Sequence, residues 1–179
     1  MSEYREIAVT NRRLCTNRDF LAQIATIAAQ KPWAILLREK DLDAAVYAAL
    51  AAQVKARCGD VPLIAHTHAV ESFERLHLPM VVLRQMEHAL PARFSVSVHS
   101  VQEAQYAEKL GAEFLIAGHI FDTTCKPGFP ARGIDFLRTV CESVQVPVFA
   151  IGGITEENMG QCVAAGAAGV CRMSYWMNV

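Results

Sequence analysis

The sequence predicts one single-domain (β/α)8 barrel, the TIM-barrel fold, that spans all 179 residues. Short apolar stretches alternate about eight times with helical stretches, and the steps from helix to strand are short and often contain Gly or Pro. This alternation is typical of a parallel sheet covered by helices, and about eight repeats close a barrel. Hydrophobic residues make up 53% of the chain and the mean hydropathy is +0.20, as expected when strands are buried on both faces.

The predicted strands and helices follow one another along the whole chain. Strands are predicted at residues 7–11, 34–40, 62–67, 76–79, 94–100, 114–121, 147–153 and 169–174, and helices at 19–30, 43–59, 70–75, 82–90, 101–110, 134–144 and 155–166. Asp19, Asp43 and Thr155 are expected to cap helices, because their side chains can accept hydrogen bonds from free backbone N–H groups. Gly59 is expected to end the second helix.

The C-terminal end of the predicted barrel is short. A TIM barrel typically has about 250 residues, whereas only five residues follow Ser174 here. We therefore expect a shortened barrel that lacks its last helix, or one in which a partner subunit of a homodimer covers that edge.

Composition excludes several classes of function. Seventeen basic and 18 acidic residues give a net charge of −1, which argues against a nucleic-acid-binding surface. No apolar run approaches the roughly 18 residues of a membrane helix, and charged residues at the N-terminus argue against a signal peptide. The six cysteines form no C-x-x-C pair, so we expect reduced thiols in a cytoplasmic protein and no zinc site.

Candidate site residues are concentrated at the predicted C-terminal ends of the strands, where barrels carry their active sites. They are Asn11, Arg38, Lys40, His66, His99, His119, Lys126, Gly152, Gly153, Met173 and Ser174. Because side chains alternate along a strand, Ser95, Ser97 and His99 are predicted to face the barrel interior, with Val96 and Val98 facing the helices.

His119 is the leading catalytic candidate. It follows a buried apolar run and Gly118 and precedes a polar loop, and histidine can take and give a proton near neutral pH. For His99 two interpretations stay open, a histidine hydrogen-bonded to a neighbour at the barrel mouth and a substrate contact. Three other histidines are expected to be surface or packing residues: His68, His77 and His88.

Two features favour an anionic ligand. Arg38 ends a buried run, so it is expected to bind an anion, the alternative being an ion pair with Glu39 or Glu3. The Gly152–Gly153 pair after the seventh strand is expected to bind phosphate together with residues 173–174 after the eighth. The alternative for the pair is a tight turn at positive φ. By spacing alone, Lys126 could be a solvated loop lysine.

Five segments in order resemble the family of thiamine phosphate synthase and its relative, thiazole tautomerase. They are residues 37–40, 97–100, 118–126, 150–155 and 173–174. The synthases carry an Asn-Asp pair after the third strand and an Asp after the fourth, which hold Mg²⁺. This chain has His66-Thr67 and Leu78-Pro79-Met80 there. The tautomerases carry Gly-His followed by Phe, an acid, Thr, any residue, Cys and Lys, which residues 118–126 resemble.

The resemblance to the tautomerase branch implies a cytoplasmic isomerase of thiamine biosynthesis that needs no metal or cofactor. Its substrate would be a carboxythiazole phosphate that a proton shift aromatises, with His119 as base and then acid. The resemblance also implies ligand contacts. Substrate contacts would come from Arg38, Lys40, His99, Thr123 and Lys126, and phosphate contacts from Gly152, Gly153, Met173 and Ser174.

Two alternatives remain open at the level of the sequence. One is a non-catalytic relative that binds or senses a phosphate ligand, since Tyr175 stands where the family usually has Gly and the chain ends soon afterwards. The other is thiamine phosphate synthase itself. For Arg172, a charge within an apolar strand, the sequence offers no role.

Overall fold

The computed structural model describes residues 5–16, 18–68, 73–86, 90–123 and 128–178. Eight parallel strands pair in sequence order, and β8 pairs with β1 to close a barrel, which confirms the predicted fold class. The strands are β1 (Arg5–Val9), β2 (Ala34–Leu37), β3 (Leu63–His66), β4 (Arg75–Pro79), β5 (Phe94–Val98), β6 (Phe114–Gly118), β7 (Val148–Ile151) and β8 (Gly169–Arg172).

Helices follow the strands on the outside of the barrel. They are α1 (Phe20–Ala29), α2 (Ala44–Lys55), α3 (Met80–Gln85), α4 (Val101–Lys109), α5 (Gly133–Ser143), α6 (Met159–Ala164) and α7 (Ser174–Asn178), and a 3₁₀ turn covers Arg12–Leu14. Within the described residues, no helix is long and apolar enough to cross a membrane.

Two of the three predicted helix caps are confirmed. The carboxylates of Asp19 and Asp43 accept hydrogen bonds from the backbone N–H groups of Ala22 and Val46. The prediction for Thr155 is wrong: α6 starts at Met159, because Thr155 N–H donates to a side chain farther along the loop instead.

Other predicted helix limits also shift. The second helix ends at Lys55, four residues before Gly59. The predicted helix at residues 70–75 is wrong at its end, because Arg75 begins β4, and residues 69–72 lie outside the described part. Residues 87–89, with His88, lie outside it as well.

Alternating side chains divide the barrel into an inner and an outer layer, as predicted. The inner cluster contains Ile7, Val9, Ala34, Leu36, Ile64, Phe114, Ile116, Phe149 and Cys171. Val96 and Val98 pack outward against the helices. At the N-terminal end of the interior, the Trp33 ring lies 5.5 Å from Phe114 and 5.1 Å from Phe149, measured between ring centroids. This aromatic cluster closes the bottom of the barrel, so that the interior opens at the C-terminal strand ends.

His77 lies inside the barrel and not on the surface. Its ring is 2% exposed and bonds through Nδ1 to Ser95 Oγ at 2.8 Å and through Nε2 to Ser97 Oγ at 2.7 Å. Burial lowers the pKa of His77 well below its usual value. The ring of His66, at the end of β3, lies 5.9 Å away. Burial and then the charges of Arg38 and Lys40 lower the pKa of His66 to about 3, so both rings are neutral.

A buried ion pair gives Arg172 the role that the sequence did not reveal. Arg172 points outward from β8, where its guanidinium binds both carboxylate oxygens of Glu6 on β1 at 2.5 and 2.8 Å. The indole N–H of Trp176 donates to the same carboxylate. Glu6 and Arg172 are each 6% exposed, so the carboxylate is satisfied without water at the seam between the first and last strands.

The expectation that the last helix is missing is wrong, because residues 174–178 form the short helix α7. Trp176 and Met177 are buried in it, and the Trp176 carbonyl accepts a hydrogen bond from Gln23 Nε2 of α1 at 2.6 Å. The helix α7 therefore packs at this edge through Trp176 and Met177, beside the buried Glu6–Arg172 pair.

The ion pair makes a prediction about stability. Arg172→Met leaves the Glu6 carboxylate buried without its cation and should lower the free energy of unfolding by about 3–5 kcal/mol. The matched control is Arg138→Met, which breaks an exposed pair with Asp135 and should cost less than about 1 kcal/mol. Urea denaturation measures both, and equal losses for the two variants would contradict the assignment.

The neutral interior histidines make a prediction about pH. In the unfolded chain their pKa is about 6.5, so below that pH the unfolded state binds protons that the folded state does not. Stability should therefore fall between pH 6.5 and 5, by up to about 1.4 kcal/mol per pH unit for each histidine. His66→Asn should reduce the slope of unfolding free energy against pH by up to about 1.4 kcal/mol per pH unit, which corresponds to one proton fewer taken up on unfolding. An unchanged slope in that variant would show that His66 is already charged in the folded protein.

Candidate active site

A cavity of about 530 Å³ opens at the C-terminal ends of the strands. Every predicted site residue that the structure describes lines it: Arg38, Lys40, His99, His119, Thr123, Gly152, Gly153, Met173 and Ser174. Lys126 lies outside the described residues. Apolar side chains from the inner layer form the floor, so polar groups around the mouth face a ligand above an apolar base.

Backbone hydrogen bonds hold His119 against the seventh strand. The pairing of β6 with β7 continues beyond the strand ends, since Ile120 N–H donates to the Ile151 carbonyl at 2.9 Å and Phe121 N–H to the Gly152 carbonyl at 3.0 Å. The His119 carbonyl accepts from Arg132 N–H at 3.0 Å, just before α5. His119 is therefore fixed between two rigid elements.

The ring of His119 presents one nitrogen without a partner. Its Nε2 lies 3.2 Å from the Phe129 carbonyl, which can only accept, so Nε2 carries the proton of this hydrogen bond. In the neutral ring Nδ1 then holds the lone pair. Nδ1 is buried and has no hydrogen-bond partner among the described residues, and the whole residue is 7% exposed. His119 as a residue lines the cavity, and Nδ1, which is sealed from solvent in the described structure, is the ring nitrogen still able to take up a proton.

The glycine pair allows the close approach of β7 to His119. Gly152 and Gly153 have φ values of 102° and 63°, which confirms the alternative of a turn at positive φ. A Cβ on Gly152 would overlap the Cβ of His119, and one on Gly153 would overlap the Asp122 carbonyl. Both glycines also line the cavity, so this turn forms part of its wall.

The structure shows the first of the two interpretations of His99, and a contact of His99 with substrate stays a prediction. Its Nδ1 donates to the Gly118 carbonyl at 2.8 Å, and its backbone N–H donates to the Glu103 carboxylate at 2.7 Å. It is thus a histidine hydrogen-bonded to a neighbour at the barrel mouth. His99 also lines the cavity, and because Nδ1 carries the proton of that bond, Nε2 of the neutral ring is an acceptor.

The acid beside Arg38 is engaged elsewhere. Glu39 accepts from Thr10 Oγ1 at 2.7 Å and from the Arg12 guanidinium at 3.0 Å, and its side chain is 1% exposed. Glu3, the other acid considered as a partner of Arg38, lies outside the described residues. Arg38 lines the cavity, with its backbone N–H bonded to Thr10 Oγ1 at 3.0 Å.

Several cavity residues had no assigned role in the site from sequence alone, among them His66, His77, Arg172 and Tyr175. His66 faces the cavity from β3, its Nδ1 bonded to Thr67 Oγ1 at 2.9 Å. His77 forms part of the floor, and the Tyr175 ring stacks over the Arg172 guanidinium at 3.5 Å from its centroid. The strand alternation that placed Ser95 inside would have placed His66 inside as well, beside Ile64.

The donor set does not fit the Mg²⁺ site of the synthases. The cavity is lined at the ends of β3 and β4 by His66, Pro79 and Met80, none of which is a carboxylate. Asp122 is the one acidic side chain among the described residues that line the cavity. Those residues also contain no group of three or more His, Cys, Asp or Glu placed to hold a metal ion. A hard cation such as Mg²⁺ favours carboxylate oxygens, and the described residues at these two strand ends that line the cavity supply none.

The family model and the relatives that match this chain point to the same family. The family model described as thiamine monophosphate synthase (TMP-TENI) matches residues 6–175. Thiamine-phosphate synthase 2 of Streptococcus pneumoniae is 38% identical over 90% of this chain and 82% of its own length. A putative thiamine-phosphate synthase 2 of Aquifex aeolicus is 31% identical over 97% of both chains.

A solved structure is also similar to this one. The thiamine phosphate pyrophosphorylase of Pyrococcus furiosus superposes with a TM-score of 0.80 at 25% identity, covering 98% of this chain and 88% of its own. Sequence, cavity position and fold therefore lead to one conclusion. The chain belongs to the thiamine monophosphate synthase (TMP-TENI) family of thiamine biosynthesis.

Proposed function

We propose that this protein is a thiazole tautomerase, an isomerase that aromatises a carboxythiazole phosphate by moving one proton. The observation that carries the proposal is His119, whose Nδ1 is buried, holds the lone pair and lacks a partner in the described structure. Because His119 lines the cavity, a turn of its ring would bring Nδ1 to a ligand C–H there.

The reaction follows from one imidazole acting twice. Nδ1 removes a proton from the ring carbon of the substrate, the electron pair moves through the ring to the exocyclic double bond, and the exocyclic carbon takes the proton back from the imidazolium. The bonds and charges balance without an oxidant. Nε2 donates to the Phe129 carbonyl in the described structure, so Nδ1 is the nitrogen that takes and returns the substrate proton.

Cations at the mouth support the developing charge. Arg38 and Lys40 line the cavity, and with Lys126 we assign them to the substrate carboxylate. A fixed positive charge beside the carboxylate stabilises the carbanion character that arises when the ring proton leaves. Thr123 and His99 complete the substrate contacts in this proposal.

The other end of the substrate is assigned to the opposite side of the cavity. Gly152, Gly153, Met173 and Ser174 line it there, at the ends of β7 and β8, where barrels commonly bind phosphate. An anchored phosphate would place the thiazole ring between this end and the β2 cations, over the apolar floor. His119, which directly follows β6, lies next to the end of β7 and lines the same cavity.

The names of the relatives favour a second candidate, thiamine-phosphate synthase. Against it stand the strand ends of β3 and β4, which lack the carboxylates that the synthases use for Mg²⁺. One assay separates the two candidates: Mg²⁺-dependent formation of thiamine phosphate from a thiazole phosphate and a pyrimidine pyrophosphate would establish the synthase. Tight binding of the carboxythiazole phosphate without any turnover would instead identify a non-catalytic relative.

Replacing His119 tests the proposal. His119→Gln keeps a polar side chain but removes the base, so aromatisation followed by ultraviolet absorbance should slow by about 10²–10⁴-fold. Affinity for the aromatic product, measured by calorimetry, should change much less, because the glycine pair and the cations remain. Undiminished turnover in the variant would overturn the proposed role.

A second experiment displaces the His119 ring without replacing His119. Gly152→Ala places a methyl group against the His119 Cβ and should also lower kcat, by at least about tenfold. Gly160→Ala is the matched control, since a Cβ there meets open space and should leave kcat unchanged. Equal kcat values for the two glycine variants would show that the position of the His119 ring does not matter.

A further inference from the structure

We propose that His66 and Thr67, at the end of β3, form with Arg38 a carboxylate-binding subsite in which His66 donates a hydrogen bond through Nε2–H. This inference rests on the proposed function and deepens it, because it assigns the residues that distinguish a carboxylated ligand from one without the carboxylate.

The ring of His66 is arranged to offer Nε2 to the cavity. Its Nδ1 is occupied by Thr67 Oγ1 at 2.9 Å. Nε2 has no protein partner within the described residues, yet it is not sealed from solvent, and His66 lines the cavity. A hydroxyl can rotate to donate, so Thr67 can supply the proton at Nδ1 and leave the ring proton on Nε2. An anion in the cavity selects this tautomer, since the other one would present a lone pair to it.

The backbone of Thr67 is an independent sign of a functional constraint. Thr67 has a φ of 65°, which a β-branched residue adopts only at a cost. Two hydrogen bonds hold it there, from Thr67 N–H to the His77 carbonyl at 3.0 Å and from His68 N–H to the His66 carbonyl at 2.7 Å. The consequence of this conformation is the contact between the Thr67 hydroxyl and His66.

The charges around His66 favour an anion over a cation or a neutral group. Burial, and after it the charges of Arg38 and Lys40, lower the pKa of His66, so the ring is a neutral donor. The acidic lining residue in the described part, Asp122, lies after β6. Because β2 and β3 are paired, a negative ligand group at their ends would meet the His66 Nε2–H donor beside the Arg38 guanidinium.

The barrel places this subsite across the mouth from the glycine pair. With eight strands in sequence order, β3 stands opposite β7. A ligand that spans the cavity can thus hold a phosphate at Gly152–Gly153 and a carboxylate at His66, with its ring passing His119. The chemical class that fits is a phosphorylated heteroaromatic carboxylate.

The test compares two probes by calorimetry: the aromatic carboxythiazole phosphate and the same thiazole phosphate without its carboxylate. The wild-type protein should prefer the carboxylated probe, and His66→Phe should reduce the ratio of the two affinities by about tenfold or more. His66→Gln, which keeps a donor, should retain part of the preference. His68→Asn, two residues away and outside the cavity lining, is the matched control and should keep the wild-type ratio.

The outcomes separate this inference from the proposed function. A wild-type ratio in His66→Phe, or equal affinity of the wild-type protein for both probes, overturns the carboxylate subsite even when the enzyme turns over. Loss of preference in His66→Phe supports the subsite whether or not His119→Gln abolishes turnover. Failure of the wild-type protein to aromatise the substrate overturns the proposed function alone.

Discussion

The hydrogen bonds that extend the β6–β7 pairing beyond the strand ends determine the geometry of the site. Through them the backbone after Gly118 stays parallel to the backbone after Ile151, and the glycine pair lies directly against His119. A side chain at Gly152 would push the two segments apart. The proposed catalytic ring and the proposed phosphate-binding turn are therefore one structural unit, and neither can move without the other.

The same chain handles charge in two different ways inside the barrel. At the β8–β1 seam a full ion pair is buried, with Glu6 satisfied by Arg172 and Trp176. In the interior, charge is avoided: burial holds His66 and His77 neutral, and serines satisfy His77. The cations Arg38 and Lys40 stand instead at the mouth of the cavity, which they line. A rigid, neutral floor under a cationic rim suits an anionic aromatic ligand.

Much of this arrangement could be predicted from local patterns. Strand alternation placed Ser95, Val96 and Ser97 correctly, and the order of strand ends brought His99 and His119 to one cavity. The features that could not be predicted depend on contacts with residues that are distant in the sequence. Glu6 and Arg172 are 166 positions apart, and the sequence around either residue does not indicate that the two form a pair. The helix after Ser174 was missed because its stability comes from burial of Trp176 and Met177 and not from its length. The role of His66 depends on the unusual φ of Thr67, which sequence does not show.

The proposed mechanism requires that a single imidazole, that of His119, carries the proton from the ring carbon to the exocyclic carbon. The most direct measurement is a single-turnover reaction of the substrate deuterated at the ring carbon, with the exocyclic carbon of the product analysed by NMR. Because Nδ1 of His119 is buried, the account predicts that deuterium is retained at the exocyclic carbon. An exocyclic carbon that contains only solvent protons would contradict it.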